Sequence, residues 1–372
     1  MTDFAYDLLR RSPDVEAPNL QAWDATDELL IAAALARGVD GDRIAVIGDG
    51  YGALTLALTD AGMRGVRVHQ DLVTGRRALA RNAAALGLDG FRPTELDEPL
   101  LAGARLVLLQ LPRALAELEE IADAVARWAS PDAVLIAGGR VKHMTLAQNE
   151  VLTRFFGTVQ PQLARRKSRL IIASTPRRPA GEPPFPVSTA HPDHGIVLAA
   201  HGGAFAGDRI DIGTRVLLDA IRDGNVPPAA EVVDLGCGTG ALAAAYALRH
   251  PASRVVATDR SAAAVRSART TTAANGLGGR VTVTLDDAGS ELPAASADLV
   301  LLNPPFHLGA AVDENAGARL IEGAARALRP GGEVWTVFNS HLDHRRVLER
   351  VVGRTVQVAR TPKFTLTRSE KR

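Results

Sequence analysis

The sequence predicts an α/β protein made of two tandem copies of one doubly wound, mostly parallel sheet. In both halves short apolar segments alternate with longer segments of helical periodicity, as strands joined by crossover helices do. The apolar segments lack polar alternation, which indicates strands buried on both faces. The halves also repeat each other, since IAVIGDGYGALTLALTDAG, from Ile44, and EVVDLGCGTGALAAAYALRH, from Glu231, each show a strand, a glycine loop and a helix. Such a repeat implies two domains of one fold.

The second half continues with the same alternation of elements. Strand RVVATD ends at Asp259, helix SAAAVRSARTTTAANG follows, and strands RVTVTL and ADLVLL come next. The last of these strands runs directly into an Asn-Pro-Pro-Phe sequence that begins at Asn303. The glycine loop and this sequence both follow apolar strands, where parallel sheets place their binding sites.

The residues Asn303, Pro304, Pro305 and Phe306 suit a site that holds an amino group. The Asn303 side-chain oxygen and the Pro304 carbonyl can each accept one amino hydrogen, and the two prolines have no N–H and fix φ. Phe306 offers a face on which a base can stack. The alternative is a strand that simply ends in a proline turn, which the neighbouring glycine loop argues against.

The first half lacks chemical groups that the second half carries at matching positions. At the matching positions the first half has Val46 in place of Asp234, Gln110 in place of Asn303, Leu111 in place of Pro304 and Arg113 in place of Phe306. Asp71 roughly keeps the place of Asp259. We therefore predict a degenerate domain over residues 1–175, which positions the substrate and binds no cofactor; a second working active site is the alternative. A Pro-rich, extended connector follows over 176–195, and the catalytic domain covers 196–372.

Composition and charge favour a soluble, cytoplasmic enzyme without a metal. At 372 residues the chain can bury two cores, and no apolar run reaches the roughly 18 residues of a membrane span. The single cysteine permits no intrachain disulfide, and the first residues lack the features of a secretory signal. The net charge is only +1, but Arg165, Arg166 and Lys167 form one of several basic clusters that suit a phosphate-bearing partner. A solvated face is the alternative for each cluster.

The DLGCGTG sequence resembles the first motif of class I methyltransferases, which implies Rossmann-like domains and S-adenosylmethionine as the cofactor. By that resemblance Asp234 holds the cofactor's amino group or orders the loop, and Asp259 accepts hydrogen bonds from both ribose hydroxyls. Asp287 is the implied partner of the adenine amino group, with Asp286 as the alternative, although two Asp after a strand are also common in turns. The implied cofactor-binding residues are Asp234, Gly236, Cys237, Gly238, Gly240, Asp259, Asp286, Asp287 and Asn303.

LVLLNPPFHLG, from Leu299, is similar to the motif of enzymes that methylate exocyclic amino groups of nucleobases or protein amides. With FAGDRIDIGTRVLL and the degenerate first half, the chain resembles the bacterial ribosomal RNA guanine-N2-methyltransferases, the large-subunit (23S) more than the small-subunit (16S) enzyme. The implied reaction is methyl transfer to guanine N2, with Asn303, Pro304, Pro305 and Phe306 as catalytic residues. The implied substrate-binding residues are Phe205, Arg209, Phe306, His307, Arg165, Arg166 and Lys167.

Ribosomal RNA or a ribosomal subunit is the implied partner, and the resemblance implies no oligomer. Two alternatives remain open at this point. One is a methyltransferase that acts on a protein glutamine or a DNA adenine, which the amino-holding motif alone allows. The other is an RNA-binding protein that has lost catalysis.

Overall fold

The protein is described by a computed structural model that covers residues 4–304, 311–342 and 344–372, with the backbone alone for 311–316. The chain divides into two compact units, Met1–Phe185 and Pro186–Arg372. Each unit contains one seven-stranded sheet, so the predicted α/β class with two tandem doubly wound sheets is confirmed.

The first unit has a central parallel sheet that ends in two antiparallel strands. Its strands are β1 Ile44–Ile47, β2 Val66–His69, β3 Phe91–Pro93, β4 Leu106–Gln110, β5 Val134–Arg140, β6 Phe156–Pro161 and β7 Ser168–Pro176. Its helices are α1 Ala25–Leu35, α2 Ala53–Asp60, α3 Val73–Leu86, α4 Glu98–Leu101, α5 Leu115–Trp128 and α6 Leu146–Phe155. The order across the sheet is β3-β2-β1-β4-β5-β7-β6, and β7 pairs antiparallel with both of its neighbours.

The second unit repeats this topology. Its strands are β8 Val187–His191, β9 Ile196–Ala200, β10 Glu231–Leu235, β11 Arg254–Asp259, β12 Val281–Leu285, β13 Ala297–Leu302, β14 Leu328–Asn339, β15 Gly353–Arg360 and β16 Phe364–Lys371. Its helices are α7 Ile212–Arg222, α8 Ala241–Arg249, α9 Ala262–Ala274, α10 Ala311–Ala327 and α11 His344–Val351. The order across the large sheet is β12-β11-β10-β13-β14-β16-β15, and β8 and β9 form a separate antiparallel pair.

Each large sheet is buried on both faces, as the continuous apolar strands predict. In β1, Ile44 and Val46 belong to the core cluster on one face, while Ala45 and Ile47 belong to the cluster on the other. Strand β13 divides its residues between two clusters in the same way. Buried strands of this kind hold the loops at their carboxyl ends in fixed positions.

The register places the two glycine loops equivalently. Asp234 is the fourth residue of β10 and pairs with Ala257 of β11 and Leu301 of β13. Val46 pairs in the same way with Val68 of β2 and Leu108 of β4. The predicted exchange of Asp234 for Val46 therefore holds at the level of strand register.

The predicted connector at 176–195 differs from the structure in its second half. Residues Val187–His191 form β8, which pairs antiparallel with β9 and belongs to the second unit. Between Pro186 and Pro192 lies the proline-free segment VSTAH, Val187–His191, in which every residue has an N–H for a strand ladder. Proline content alone gave no signal for where the extended chain becomes a strand.

Candidate active site

The glycine loop of the second unit joins β10 to α8 through three glycines in the left-handed region. Gly236, Gly238 and Gly240 have φ values of +76°, +53° and +80°. A Cβ at Gly240 would lie 3.1 Å from the Cβ of Ala268 on α9, so this glycine allows the two helices to pack closely. A Cβ at Gly238 would meet no described atom within 4 Å. The loop is thus packed on one side and open at Gly238, where a ligand could approach the backbone.

The Asp234 carboxylate lies buried beneath this loop. Its Oδ2 accepts a hydrogen bond of 2.9 Å from the N–H of Ala243 in the first turn of α8. Its Oδ1 has no hydrogen-bond partner among the described residues. Burial raises the pKa of Asp234 to about 7, and the negative charge of Asp259 adds to this. A buried acceptor without a donor fits a cationic N–H group of a ligand.

Asp259 ties the end of β11 to the loop. Its Oδ2 accepts from the N–H of Gly238 and its Oδ1 from the N–H of Ser261, each at 2.9 Å. A carboxylate can only accept, so the chemistry of Asp259 suits the hydroxyl donors that the family resemblance implies. Between the two carboxylates, burial raises the pKa of the Cys237 thiol well above its usual value, and Asp259 and Asp234 add to this shift. Cys237 therefore contributes packing rather than nucleophilic chemistry.

The two acidic residues after β12 have different partners. Asp286 accepts hydrogen bonds from the N–H of Asp287 at 2.8 Å, the Ser290 hydroxyl at 2.5 Å and the Glu291 N–H at 2.9 Å, so it holds the turn. Asp287 forms an ion pair with Arg319 of α10. The turn interpretation therefore applies to Asp286, which leaves Asp287 as the better candidate for a ligand contact. Sequence reasoning did not predict a role for Arg319, which lies on a helix later in the chain.

The Asn303 amide stands at the end of β13, the strand next to β10. Its Nδ2 donates to the Thr214 hydroxyl oxygen at 2.8 Å and to Asp211 Oδ2 at 3.4 Å. Its Oδ1 is buried and has no partner among the described residues. Pro304 is buried, whereas Pro305, Phe306 and His307 lie outside the described residues. The amide is thus anchored through its nitrogen, with its oxygen available to an N–H donor.

Thr214 and Asp211 were not among the predicted site residues. Asp211 is the N-cap of α7, and its Oδ1 accepts from the N–H groups of Gly213 at 2.9 Å and Thr214 at 3.2 Å. An Asp followed three residues later by Thr before an apolar helix is a recognisable capping signal. That signal predicts the helix start but not the contact with a strand 89 residues later in the chain.

Phe205 and Arg209 lie in the segment between β9 and α7, and both are exposed. Asp208, between them, accepts a hydrogen bond of 2.5 Å from Thr189, and the Asp208 carbonyl lies 2.8 Å from His191 Nε2. The segment is therefore fixed to β8 and leads directly into the Asp211 cap. This arrangement leaves the Phe205 ring and the Arg209 guanidinium directed away from the core, as a substrate contact requires.

In the first unit the equivalent loop is occupied by the protein's own groups. Asp49 is fully buried, and it accepts hydrogen bonds from the N–H groups of Gly52, Leu54 and Thr55 at 3.0, 3.3 and 2.8 Å. Burial raises its pKa. Asp49 thus caps the helix after the loop in the first unit. Asp234 has this role in the second unit, and Val46, at the matching position, has no carboxylate for it. Both oxygens of Asp49 have backbone partners, unlike Oδ1 of Asp234.

The structure corrects the predicted equivalence of Asp71 and Asp259. The Gly48 N–H binds the His69 carbonyl just as the Gly236 N–H binds the Thr258 carbonyl, so the residue after each carbonyl is the equivalent one. That residue is Gln70 in the first unit and Asp259 in the second. Asp71 is thus one position away from the place that its acidic side chain roughly predicted, because strand register sets the equivalence.

The hydrogen bond between Gln70 and its glycine loop runs in the opposite direction from that between Asp259 and the loop of the second unit. Gln70 Nε2 donates to the carbonyl of Asp49 at 2.6 Å, whereas Asp259 accepts from the N–H of Gly238. The same peptide of the loop therefore presents its oxygen in the first unit and its N–H in the second. A Cβ at Gly75 of α3 would lie 2.6 Å from the Gly50 carbonyl, so the helix packs tightly against this loop.

The predicted basic residues Arg165, Arg166 and Lys167 are exposed between β6 and β7, where Arg166 and Lys167 form a two-residue turn. Arg165 and Ser168 exchange backbone hydrogen bonds of 2.8 and 2.9 Å, and the turn residues Arg166 and Lys167 have φ values of +50° and +64°. Turns of this type favour Asn-Gly, because long side chains are strained in the left-handed region. Arg166 forms an ion pair with Glu28.

A second basic group joins this turn through the sheet. The Val141 N–H donates to the Lys167 carbonyl at 3.0 Å, and Arg140 of β5 pairs with Ser168 of β7. Two clusters that are separate in sequence therefore meet at the carboxyl end of β5. We call their members the basic rim: Arg140, Lys142, His143, Arg165, Arg166, Lys167 and Arg169.

The described ranges are residues 4–304, 311–342 and 344–372. Within them, no group of three or more His, Cys, Asp or Glu side chains is arranged to hold a metal ion. None of the helices in these ranges combines the length and apolarity that a membrane crossing needs.

Comparisons with known proteins agree with this geometry. The model of the methyltransferase small domain matches residues 195–368, and that of the RLMG N-terminal domain matches residues 2–177. The ribosomal RNA large subunit methyltransferase G of Pseudomonas aeruginosa (strain UCBPP-PA14) is 36% identical over 378 residues, covering 100% of this chain and 99% of that protein. The protein of the same description from Streptomyces avermitilis is 35% identical, covering 98% and 97%.

A solved structure shares the fold over nearly the whole chain. It is the Thermus (T. Thermophilus) 16S rRNA N2 G1207 methyltransferase in complex with AdoMet and guanosine, with a TM-score of 0.74 and 22% sequence identity. The match covers 96% of this chain and 97% of that chain. Both units of the present structure therefore have counterparts in one known architecture.

Proposed function

Because the chain belongs to the ribosomal RNA large subunit methyltransferase G family, we propose that it methylates the exocyclic N2 amino group of a guanine in 23S ribosomal RNA. The observation that carries this proposal is the Asn303 amide. Its nitrogen is anchored, and its buried oxygen has no donor among the described residues. The amide follows directly after β13, the strand beside the one that leads into the glycine loop. An acceptor so placed suits an amine that must be held next to a cofactor.

The second unit is also suited to S-adenosylmethionine as cofactor. Asp234 Oδ1 can accept from the amino group, the open backbone at Gly238 can approach the ligand, and Asp259 can accept from two hydroxyls. Asp287 remains the candidate for the adenine amino group. When bound, this cofactor supplies an electrophilic methyl group carried on a sulfonium sulfur. The fit rests on the Asp234 oxygen that has no partner among the described residues, whereas both oxygens of Asp49, the carboxylate of the equivalent loop in the first unit, accept hydrogen bonds.

The residues of the chain then act by orienting the amine. The lone pair of guanine N2 is delocalised into the ring, so the amine is a poor nucleophile. Asn303 Oδ1 accepts one amino hydrogen and the Pro304 carbonyl accepts the other, which holds the nitrogen in line for transfer. Phe306 is proposed to stack on the target base, which must leave its stacked position in the RNA to reach the site. The amine nitrogen would bond to the methyl carbon as the carbon–sulfur bond breaks and its electron pair returns to the sulfur, which leaves as a neutral thioether. The methylated nitrogen would then lose one proton to solvent, so no strong base is needed.

We propose that the first unit positions RNA and binds no cofactor. Asp49 and Gln70 fill the place of the cofactor contacts with internal hydrogen bonds. The basic rim supplies cations for phosphate groups, which fix position and register without reading sequence. In the second unit, Phe205 and Arg209 are exposed on the segment before α7 and are proposed to contact the substrate, with His307 as a further contact.

The place of action proposed for this enzyme is the cytoplasm, where ribosomal RNA or a ribosomal subunit is available to it. The lone cysteine is compatible with a reducing compartment. The choice between 23S and 16S RNA rests on family membership, since the structural likeness to a 16S enzyme at 22% identity concerns the fold.

The test uses methyl-labelled S-adenosylmethionine and the full-length protein, with separated 23S RNA, 16S RNA, DNA and protein as substrates. We expect label in 23S RNA, recovered as N2-methylguanosine after digestion. Asn303→Ala should remove most transfer, about a hundredfold or more, and leave cofactor affinity within a few fold, because the amide orients the amine. Asn225→Ala, at an exposed position after α7, is the matched control and should transfer at the wild-type rate.

Three results would contradict the proposal. Label in 16S RNA alone would assign the enzyme to the small subunit. Label in protein or DNA would replace the substrate class. Wild-type turnover by Asn303→Ala would remove the amide from the reaction.

A further inference from the structure

The first turn of α7 reaches across to the end of β13 and holds the Asn303 amide. Thr214 is the third residue after the Asp211 cap, and its hydroxyl lies 2.8 Å from Asn303 Nδ2. The Thr214 hydroxyl in turn donates to Asp211 Oδ2. A continuous chain of hydrogen bonds therefore runs from the helix cap to the amide.

This chain of hydrogen bonds determines which end of the amide faces the site. A carboxylate can only accept, so the single hydroxyl proton of Thr214 is used on Asp211. The Thr214 oxygen can then only accept from Asn303, which requires the NH₂ end of the amide on that side. The oxygen of the amide is consequently turned to the other side, where it is buried without a partner among the described residues.

The first unit contains the same connection in a different chemical form. Asp24 is the N-cap of α1, as Asp211 is of α7, and Asp27 stands in the place of Thr214. Gln110, the counterpart of Asn303, donates from Nε2 to Asp27 Oδ1 at 2.5 Å. The contact from the helix cap to the strand end is therefore a feature of the repeated fold. In both units a side chain of the helix accepts a hydrogen bond from the amide at the strand end. The NH₂ group of that amide therefore faces the helix in both units.

We propose that Thr214 and Asp211 are positioning residues that hold the Asn303 oxygen toward the target amine and so determine the rate of methyl transfer. This inference rests on the proposed function, since it concerns the same amine. Neither side chain is placed in contact with the substrate. Both act through Asn303, and a correctly turned amide offers an acceptor where a reversed one would offer a donor to an amine that must itself donate.

The test is Thr214→Val in the full-length protein, which keeps the branched shape and the backbone N–H that Asp211 caps. Single-turnover transfer to 23S RNA at saturating cofactor should slow by about tenfold or more, since a misdirected amide loses its transition-state contact. Cofactor affinity by calorimetry, the KM for RNA and the melting temperature should each stay close to wild type. Thr214→Ser, which restores the hydroxyl, should recover most of the rate.

Thr270→Val is the matched control, because the Thr270 hydroxyl binds only the Arg266 carbonyl of its own helix in the described structure. It should transfer at the wild-type rate. In the Asn303→Ala background, Thr214→Val should cause no further loss, because the group through which it acts is gone.

Several outcomes would overturn the inference. These are wild-type transfer by Thr214→Val, failure of Thr214→Ser to recover the rate, and loss of cofactor affinity in parallel with rate, which would indicate a structural role alone. A further independent loss in the double variant would have the same consequence. Failure of the wild-type protein to methylate RNA would instead contradict the proposed function, so the two failures are distinguishable.

Discussion

A single side chain decides how each glycine loop presents its backbone. The carboxylate of Asp259 can only accept, and the loop offers it the N–H of Gly238. The amide of Gln70 can donate, and the loop offers it the carbonyl of Asp49. Gly238 has a φ of +53°, whereas its counterpart Gly50 is outside the left-handed region. The two units therefore differ at this position both in the proposed ribose acceptor and in the conformation of the loop.

The first prediction concerns the proposed ribose contact. Asp259→Ala should weaken the binding of S-adenosylmethionine by about 1–3 kcal/mol, because two ribose hydroxyls lose their acceptor and the Gly238 N–H loses its partner. Calorimetry on the full-length protein measures this directly. Asp219→Ala removes a carboxylate of α7 that pairs with Arg222 on the surface, and it should bind like wild type. Unchanged affinity in the Asp259 variant would exclude this residue from the cofactor site.

The second prediction concerns pH and Asp234, whose pKa burial raises to about 7. Because the folded pKa lies above that of the unfolded chain, the protonated carboxyl stabilises the fold at low pH, and this contribution is lost as pH rises from about 4 to about 7. The ionised form that predominates above this range is the one that binds a cationic amino group. Affinity for S-adenosylmethionine should therefore rise between about pH 6 and pH 8.

Asp234→Asn should remove most of this pH dependence, since an amide does not ionise in this range. The substitution keeps an oxygen for the Ala243 N–H. Titrations of both proteins across the same pH values provide the comparison. An equal slope in the variant would show that another group titrates.

At the scale of elements, the sequence predicted most of the fold and the residue types of the site. The alternation of strands and helices fixed the doubly wound order, and the strand before each glycine loop fixed the register of Asp234 against Val46. Side chains whose partners lie far along the chain were not predictable. In the sequence, Thr214 indicates only the start of a helix. The equivalence of Gln70 with Asp259 follows from strand register, which the sequence pattern does not show to within one residue.

The third prediction concerns the turn between β6 and β7. Replacing Arg166 and Lys167 with Asn and Gly should raise the free energy of unfolding by about 1–2 kcal/mol, because long side chains are strained at positive φ. The same change should weaken RNA binding and reduce its salt dependence by about 0.7 to 0.9 per lost phosphate contact. Denaturation and binding across a salt series measure the two effects on one protein.

A control variant that loses the same number of positive charges elsewhere in the first unit tests whether the effect on RNA binding is specific to the turn. Arg37→Gln and Arg92→Gln together remove two exposed cations of the first unit outside the basic rim. They should leave the salt dependence of RNA binding close to wild type. An equal loss in both double variants would indicate that binding depends on total charge alone.

At the scale of the whole molecule, one topology has acquired two sets of chemical groups. The net charge of +1 conceals an uneven distribution, because the sheet brings two basic clusters of the first unit together at the end of β5. The acceptors of Asp234 and Asn303, which have no partner in the described part of the chain, belong to the second unit. Binding of phosphate and binding of the cofactor are therefore expected to depend on different units.

The last prediction follows from this division. The second unit expressed alone, residues 186–372, should bind S-adenosylmethionine with near wild-type affinity but methylate 23S RNA poorly. The first unit alone, residues 1–185, should bind RNA in a salt-dependent manner and bind no cofactor, because Asp49 and Gln70 already bond to its own loop. Calorimetry with cofactor and RNA binding on each unit, beside the full chain, give the comparison. Two cofactors bound per full-length chain, or full RNA activity from the second unit alone, would contradict the assigned division of labour.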